Sequence, residues 1–567
     1  MQKQVLFPYG VSNFEQLVTQ NFVFVDKTKY LEVLEKEKFV SFLRPRKFGK
    51  SLWLSVLEYY YDVNQKHKFE KLFGKYYIGK NPTPLQGSYR ILKFDFSGIN
   101  TESKESTKQG FNSNVQTALE SFFKFYSNSF SIEEQNKISY EPDAEEKMSK
   151  FFRHYPKDIP IYILFDEYDH FTNDILYRDK NEFIDSVSKQ GYIRKFYEVI
   201  KSATQSGVVD RVFITGVSPV TLDALTSGFN ILTHLSHDEK YQSLTGFTEQ
   251  ETRELLRLVL KDPNREDEVM QEMKEWYNGY RFYVYSNENI YNSDMVLYYL
   301  KHFKDYQTRP YKMLDVNIAP DYGKLKQMFE IVNFYQNRQV LQTVIENGYA
   351  IAPLIDQFSF SRSFAENELV NFLMYLGNLT IEKPALNGIR FKIPNKVIEE
   401  LYWQYYADRL QSWAEIPDDS YKVYQAGLKM AENAQYEDFF DLIRNLLKNL
   451  SNRDFIQFNE KQVKLAIIAY LMLAGVFEVI SEREVKSGYP DLMLFQKKNA
   501  PYDHHEFIIE LKYLKKEQAH ELEKTMEEAK NQVLEYYKQD TSLQGKKMLH
   551  LLAVVAIKEE LFVEEIS

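Results

Sequence analysis

Three short runs in this chain carry residue types whose spacing suits work on phosphate oxygens. The first is Arg44-Pro45-Arg46-Lys47-Phe48-Gly49-Lys50-Ser51. It follows the apolar run 39–43, which reads as a buried strand, and precedes Leu52, Trp53, Leu54, Val56 and Leu57, whose spacing is helical. Gly49-Lys50-Ser51 therefore falls on a strand-to-helix turn. Backbone N–H groups of such a turn, Lys47, Phe48 and Gly49 included, cradle anionic oxygens with the positive end of the helix behind them. Lys50 reaches the outer phosphates, and the Ser51 hydroxyl reaches a magnesium ion. One element of the general pattern is absent, because that pattern places glycine where Arg44 stands.

The second run is Asp166-Glu167, delivered at the carboxyl end of an apolar strand over 159–165, the end at which open parallel sheets bind ligands. Asp166 suits a magnesium shell, and Glu167 suits the orientation of an attacking water for γ-phosphate cleavage. A further strand, 211–216, ends at Thr215, whose hydroxyl either meets the γ-phosphate or caps the next turn together with Ser218. In the third run, Asp491 opens a strand and Glu510-Leu511-Lys512 closes another. In an extended strand Glu510 and Lys512 share a face, so two acids and an ammonium converge. Asp491 and Glu510 are oxygen ligands for magnesium or manganese, while Lys512 positions or deprotonates water and meets charge building on a phosphate. The adjacent His504 and His505 point apart on a strand and read as surface loop.

These runs need a scaffold, and the chain is long enough for about three domains. The hydrophobic and charged fractions are those of a soluble globular protein, and the 42 Tyr and 42 Phe read as an aromatic-rich core. A net charge of -10 excludes a uniformly basic nucleic-acid binder, so a polyanion needs a local patch such as Lys515, Lys516 and Lys524. Absence of cysteine removes disulfides, thiolate metal sites and thiol catalysis. No apolar leader opens the chain, and its longest apolar stretch, 465–477, is too short to span a bilayer. The reading is cytoplasmic, with no membrane partner.

Phe22 to Thr28 is strand-like and could pack near a nucleotide base. Strand spacing recurs at 89–97 and helical spacing at 110–126 and 144–154. Thr248-Glu249-Gln250-Glu251 is a capping box opening a helix to about Leu260, and helices continue to about Lys304 as a lid. Residues 315–320 read as a loop. From Glu366 to Ala407 the pattern is helix, strand, Asn387-Gly388 turn, strand and helix, a winged-helix-like unit with Arg390 and Lys392 on one side of its hairpin, where they could touch a phosphate backbone, although such a module more often serves as a coupling element. Residues 420–450 read as helical linkers with solvated faces. Asn459 caps a helix that begins at Glu460.

The region 44–219 resembles the AAA-ATPase-like family of P-loop proteins found beside a nuclease domain. The likeness rests on the Arg44–Ser51 run, on Phe165-Asp166-Glu167-Tyr168-Asp169 and on Ile214-Thr215-Gly216-Val217-Ser218-Pro219. It extends from Pro8 to Asn292 through Trp276-Tyr277-Asn278-Gly279-Tyr280-Arg281-Phe282 and Tyr291-Asn292. In that family Arg-Pro-Arg is itself the usual opening of the loop. Residues 454–559 resemble the PD-(D/E)XK nuclease superfamily, which implies a further acid at Glu460 and a supporting Gln532 and Tyr536 on the following helix.

The expected fold is α/β: a P-loop parallel sheet over 1–245, a helical lid over 246–330, a winged-helix-like and helical linker region over 331–453, and a restriction-endonuclease-like α/β domain over 454–567. The resemblance implies ATP and Mg2+ as cofactors, with Mn2+ as an alternative at the nuclease site, and nucleic acid as partner, DNA before RNA; self-association is compatible with the sequence. The expected function is ATP binding and hydrolysis that controls a metal-dependent phosphodiesterase. The alternative is an ATP-switched nucleic-acid-binding or signalling module with an inert nuclease fold.

Overall fold

The computed structural model describes residues 5–225, 228–315, 334–355, 358, 365–450, 459–481, 490–498, 500 and 502–566. The chain divides into two compact units, 1–398 and 399–567. Most of the loop expected at 315–320, and Tyr489 before the Pro490-Asp491 pair, lie outside the described residues.

The first unit is built on a five-stranded sheet of β1 (Phe39–Leu43), β2 (Arg90–Asp95), β3 (Ile161–Asp166), β4 (Val209–Gly216) and β5 (Thr233–His234), in the order β2-β3-β4-β1-β5. Every pairing is parallel. Such a sheet is covered on both faces, which is why β3 reads as an unbroken apolar run and is buried at every position. Much of the aromatic excess goes into this core, where Phe94 stacks on Phe165 at 4.9 Å and Phe111 meets Phe196 edge-on at 5.2 Å. Leu43 lies opposite Gly216 and Ile214 opposite Phe165, so β1 and β3 end at the same edge, two strand spacings or roughly 10 Å apart. The strand-like run from Phe22 to Thr28 forms no strand. Val23 N–H bonds the Leu6 carbonyl, and the Asp26 carboxylate turns the chain by accepting from the Thr28 N–H and hydroxyl.

The capping box at Thr248 and Glu251 is present, and its helix, Glu249–Arg257, stops short of Leu260. Beyond it, Tyr277, Tyr291, Leu300 and Met273 form one apolar cluster. Asn292 caps the helix Ser293–Tyr306. This segment is fastened to the turn after β1: Asn292 Nδ2 donates to the Arg46 carbonyl at 3.3 Å and the Ser293 hydroxyl to the Lys47 carbonyl at 3.1 Å.

β6 (Tyr349–Ala352), β7 (Thr380–Ala385) and β8 (Gly388–Lys392) form an antiparallel sheet ordered β6-β8-β7, flanked by helices Phe334–Asn347 and Glu366–Tyr375. This is the strand order of a winged-helix-like module. Arg390 and Lys392 are engaged within the sheet. Arg390 pairs with Glu382 at 2.5 Å and stacks on the Tyr349 ring at 3.6 Å, and Lys392 lies 3.9 Å from the same carboxylate. The Arg281 N–H donates to the Thr380 hydroxyl at 2.7 Å and its guanidinium to the Glu382 carbonyl at 2.6 Å.

The second unit holds a mixed sheet ordered β13-β12-β11-β10-β9, from β9 (Phe477–Ser481), β10 (Leu492–Gln496), β11 (Glu506–Leu514), β12 (Leu549–Ile557) and β13 (Glu560–Glu565). Only β11 and β12 run parallel, as their connection through the helix Leu522–Gln539 requires. The helices Ser420–Asn433 and Glu437–Leu450 keep solvated charged faces, with Lys422, Lys429 and Asp438 exposed, but each also packs an apolar face. They bury Val423, Ala426, Met430, Phe440 and Ile443, and Gly427 sits so near the helix Glu460–Ala474 that an added Cβ would be 2.8 Å from Ala474 Cβ. Among the described residues no helix is long and apolar enough to cross a membrane.

Gly279, in the Trp276–Phe282 run, has φ +102°, and a Cβ there would lie 1.9 Å from the Pro394 carbonyl oxygen. Gly279→Ala is expected to destabilise the first unit by about 3 kcal/mol, left-handed backbone and steric intrusion together. A calorimetric unfolding midpoint that does not fall would contradict this packing.

Candidate functional site

The turn after β1 explains the residue that the general pattern lacks. Its left-handed positions are Lys47, at φ 66°, and Gly49, at φ 86°; Arg44 is not among them. Glycine is therefore not required where β1 ends, and Arg44 does other work there. Its side chain is 1% exposed, with the guanidinium 4.3 Å from the Phe42 ring and 4.0 Å from the Phe282 ring. It donates to the carbonyls of Leu43, Ser236 and Tyr241 at 2.9, 2.7 and 3.0 Å. Burial pushes its pKa down to about 9.

Gly49 caps the helix Lys50–Tyr61, whose first residues are Lys50 and Ser51. The Lys50 ammonium donates to the Pro45 carbonyl at 3.0 Å. Burial lowers its pKa, and the charges of Glu167, Asp166 and Asp169 oppose that shift. Ser51 hydrogen-bonds Asp166, whose pKa burial raises against the pull of Ser51 and Lys50. Asp95, opposite Asp166 on β2, adds a second negative charge. Glu167 follows with φ 47°, a left-handed conformation costly for a residue with a Cβ. Lys47, Gly49, Lys50, Ser51 and Glu167 line one side of a cavity of about 550 Å³. Val23, Val25, Phe247 and Leu297 supply apolar wall, so the segment expected near a base does reach this cavity.

Phe48 lines the cavity with its neighbours, while one expected member, Thr215, is placed differently. The Phe48 ring is fully buried against Tyr280 and Phe282, at 5.0 and 5.5 Å, and anchors the loop to the segment beyond the sheet. Thr215 is 1% exposed and its hydroxyl donates to the Phe42 carbonyl at 2.9 Å, tying β4 to β1 rather than lining the cavity. The turn after β4 is held by Asp169, which accepts the N–H groups of Val217 and Ser218 at 3.0 and 2.7 Å. Ser293 and Asp294 also line the cavity, with Asp294 3.8 Å from the Lys47 ammonium. Sequence reading had stopped at Asn292, although a capping Asn marks the next two residues as a helix start.

In the second unit Asp491, Glu510 and Lys512 come together. The Leu511 N–H donates to Asp491 Oδ2 at 2.9 Å, and the Lys512 ammonium donates to Glu510 Oε1 at 2.8 Å. Glu510 is 2% exposed and its Oε2 is buried without a hydrogen-bond donor. Burial raises the Glu510 pKa, and the Asp491 charge adds to it despite Lys512. For Lys512 burial acts downward, but its bond to Glu510 and the surrounding carboxylates leave it raised. Glu460, first residue of its helix, joins the group: burial and then Asp491 raise its pKa, and it accepts the Tyr513 N–H. Tyr536 lies within the field of Glu510, Lys512 and Asp491. Lys464, absent from the sequence reading, is 3.1 Å from Asp491 Oδ1; its four-residue spacing from Glu460 was the available signal.

Hard, acidic oxygens of this kind suit magnesium or manganese, and the donorless Glu510 oxygen is where such an ion would satisfy a buried charge. Among the described residues no three acidic or histidine side chains already close around one point. The two histidines do lie in the loop before β11, but His504 is not at the surface. His504 is buried edge-on to Phe477, and His505 Nδ1 is 2.7 Å from His550 Nε2. His550 Nδ1 meets Glu565 at 2.6 Å, so the two His550 nitrogens serve different partners and do not face one ion.

Comparison with known proteins agrees with this division. A family model described as predicted AAA-ATPase matches residues 8–226, and one for the PD-(D/E)XK nuclease superfamily matches residues 458–566. A protein of Azotobacter chroococcum mcd 1, described as an uncharacterized protein in the vnfD 5′ region, is 26% identical over 312 residues, which are 54% of this chain and 53% of that protein. The match thus spans about half the length of that curated relative. A Walker-type ATPase of Pyrococcus abyssi aligns with a TM-score of 0.40 and 14% identity, over 71% of this chain and 99% of its own. Loop, carboxylate strand and buried acid cluster accordingly fall inside two recognised modules: the chain carries an AAA-ATPase-like domain over residues 8–226 and a PD-(D/E)XK nuclease superfamily domain over residues 458–566.

Proposed function

We propose that the first unit binds and hydrolyses Mg-ATP, and that its nucleotide state controls a divalent-metal phosphodiesterase in the second unit acting on nucleic acid, DNA before RNA. The observation that supports this reading most directly is the double convergence of phosphate-handling groups. Lys50, Ser51 and Asp166 meet beside one cavity, and Asp491, Glu510 and Lys512 meet at one buried cluster.

At the first site Lys50 and the backbone N–H groups of 47–49 hold phosphate oxygens, while Ser51 and Asp166 hold magnesium. Glu167, on the cavity wall, orients the attacking water and accepts its proton. The apolar wall at Val23, Val25 and Phe247 takes the base. At the second site Asp491, Glu510 and Glu460 hold the ion, which when bound supplies polarisation of the phosphodiester and acidification of water. Lys512, protonated beside Glu510, meets negative charge building on the phosphate. Residues 515, 516 and 524 are exposed cations that can follow a backbone.

Glu167→Gln should keep ATP affinity within a few-fold while lowering turnover by about a hundredfold, and Lys50→Ala should lose binding itself. Titration with a fluorescent ATP analogue beside a phosphate-release assay separates the two. Metal-dependent cleavage of a DNA oligonucleotide should fall by about a hundredfold or more in both Glu510→Ala and Lys512→Ala. Cleavage should differ between ATP, ADP and no nucleotide. Absence of cleavage in every form of the protein would favour the switch with an inert nuclease fold.

The metal-free cluster also makes a pH signature. Burial holds the Glu510 pKa above its ordinary 4.5, so the folded chain binds this proton more tightly than the unfolded chain does. Stability is unaffected by this group below 4.5 and is lost as pH rises from there through the folded value. Glu510→Gln cannot ionise, so its urea midpoint should fall less than that of the wild type between pH 4.5 and neutrality. Parallel profiles for the two proteins would refute the assignment.

A further inference from the structure

The acid cluster of the second unit contains an ammonium placed where a divalent ion would have to work. Lys464 follows Glu460 by one helical turn on the helix Glu460–Ala474 and so shares its face. Its Nζ lies 3.1 Å from Asp491 Oδ1, and the two side chains are only 10% and 15% exposed. The other Asp491 oxygen is committed, because Oδ2 accepts the Leu511 N–H at 2.9 Å. That amide belongs to β11, which is paired to β10 on one side and β12 on the other and cannot swing away. Oδ1, the Asp491 oxygen that β11 does not bond, is the one Lys464 holds. Glu510 contrasts with it: Lys512 takes Oε1, and Oε2 is left buried without a donor.

We propose that Lys464 is a built-in competitor for the divalent cation, an ammonium that neutralises Asp491 in the metal-free protein and must withdraw from Oδ1 for the ion to bind. The inference rests on the metal-dependent reading of this site. Two cations cannot share one carboxylate oxygen without strong repulsion in a poorly solvated cluster, so the ion binds more weakly than its carboxylates alone would allow. Lys464 differs in role from Lys512, whose partner oxygen on Glu510 leaves the other oxygen open. The site thereby gains a threshold: it stays closed at low ion concentration and charged only when the ion outcompetes an internal cation.

Binding of Mn2+ to the full chain without nucleotide, followed by the electron paramagnetic resonance of free Mn2+, tests this. Lys464→Met should tighten the site by roughly tenfold, and Lys464→Arg, which keeps the charge, should stay near wild type. Glu510→Gln should weaken binding and so identify the part of the signal that belongs to this cluster. A Lys464→Met protein that binds Mn2+ no more tightly than wild type, or more weakly, overturns the proposal. Lys464→Gln gives the same comparison if the Met variant does not fold. Should no Mn2+ binding depend on Glu510 in any of these proteins, the metal-dependent reading itself fails, a result distinct from unchanged affinity.

Discussion

The loop after β1 in the first unit depends on a buried guanidinium that has carbonyl groups, not a carboxylate, for company. Arg44 leaves the end of β1, is held between Phe42 and Phe282, and donates to Leu43, Ser236 and Tyr241. One side chain thus joins β1, the stretch after β5 and the segment beyond the sheet. A buried charge is costly unless its donors are satisfied, and three carbonyls with two aromatic faces provide much of that satisfaction. The loop that follows can then take its left-handed turns at Lys47 and Gly49 with its base anchored. Phe48 adds a second anchor against Phe282, so the loop is braced by the segment that also bonds its Arg46 and Lys47 carbonyls through Asn292 and Ser293.

Like-charge repulsion governs the second unit. Asp491 and the buried Glu510 lie close together, with Glu460 near enough to feel the Asp491 charge, and the pKa of both glutamates is raised. Two lysines, one from the helix and one from β11, keep that arrangement tolerable in the metal-free protein. The helices Ser420–Asn433 and Glu437–Leu450 pack into the same unit, with Gly427 allowing close contact at Ala474 and Arg444 donating to the Leu561 carbonyl at 2.8 Å. The domain that presents the acids is therefore larger than the stretch that carries their motif.

Elements with strong local signals were legible from composition and period. β1, β3, β4, the capping box at Thr248, the Asn387-Gly388 hairpin and the helix from Glu460 lie where apolar runs, caps and turn residues put them. What was not legible there has causes that composition and period do not carry. β5 is two residues long and exists because Val40 and Ser41 offer it an edge. The run from Phe22 to Thr28 has strand composition but no ladder to join, since Asp26 turns it first. The linker helices were judged by their charged faces, and their apolar faces mattered more.

Residue identity alone determined which groups can handle phosphate here: an ammonium and a hydroxyl on a strand-to-helix turn, carboxylates at strand ends, and no thiol anywhere. These follow from side-chain chemistry and short-range periodicity, which a linear sequence carries in full. The fold decided which of those groups meet, and how. It put Thr215 onto the Phe42 carbonyl, occupied Arg390 with Glu382, buried His504, and set Lys464 on the Asp491 oxygen that β11 does not bond. Each of those outcomes depends on partners distant along the chain, and only the packing of strands and helices brings a distant partner within hydrogen-bonding range.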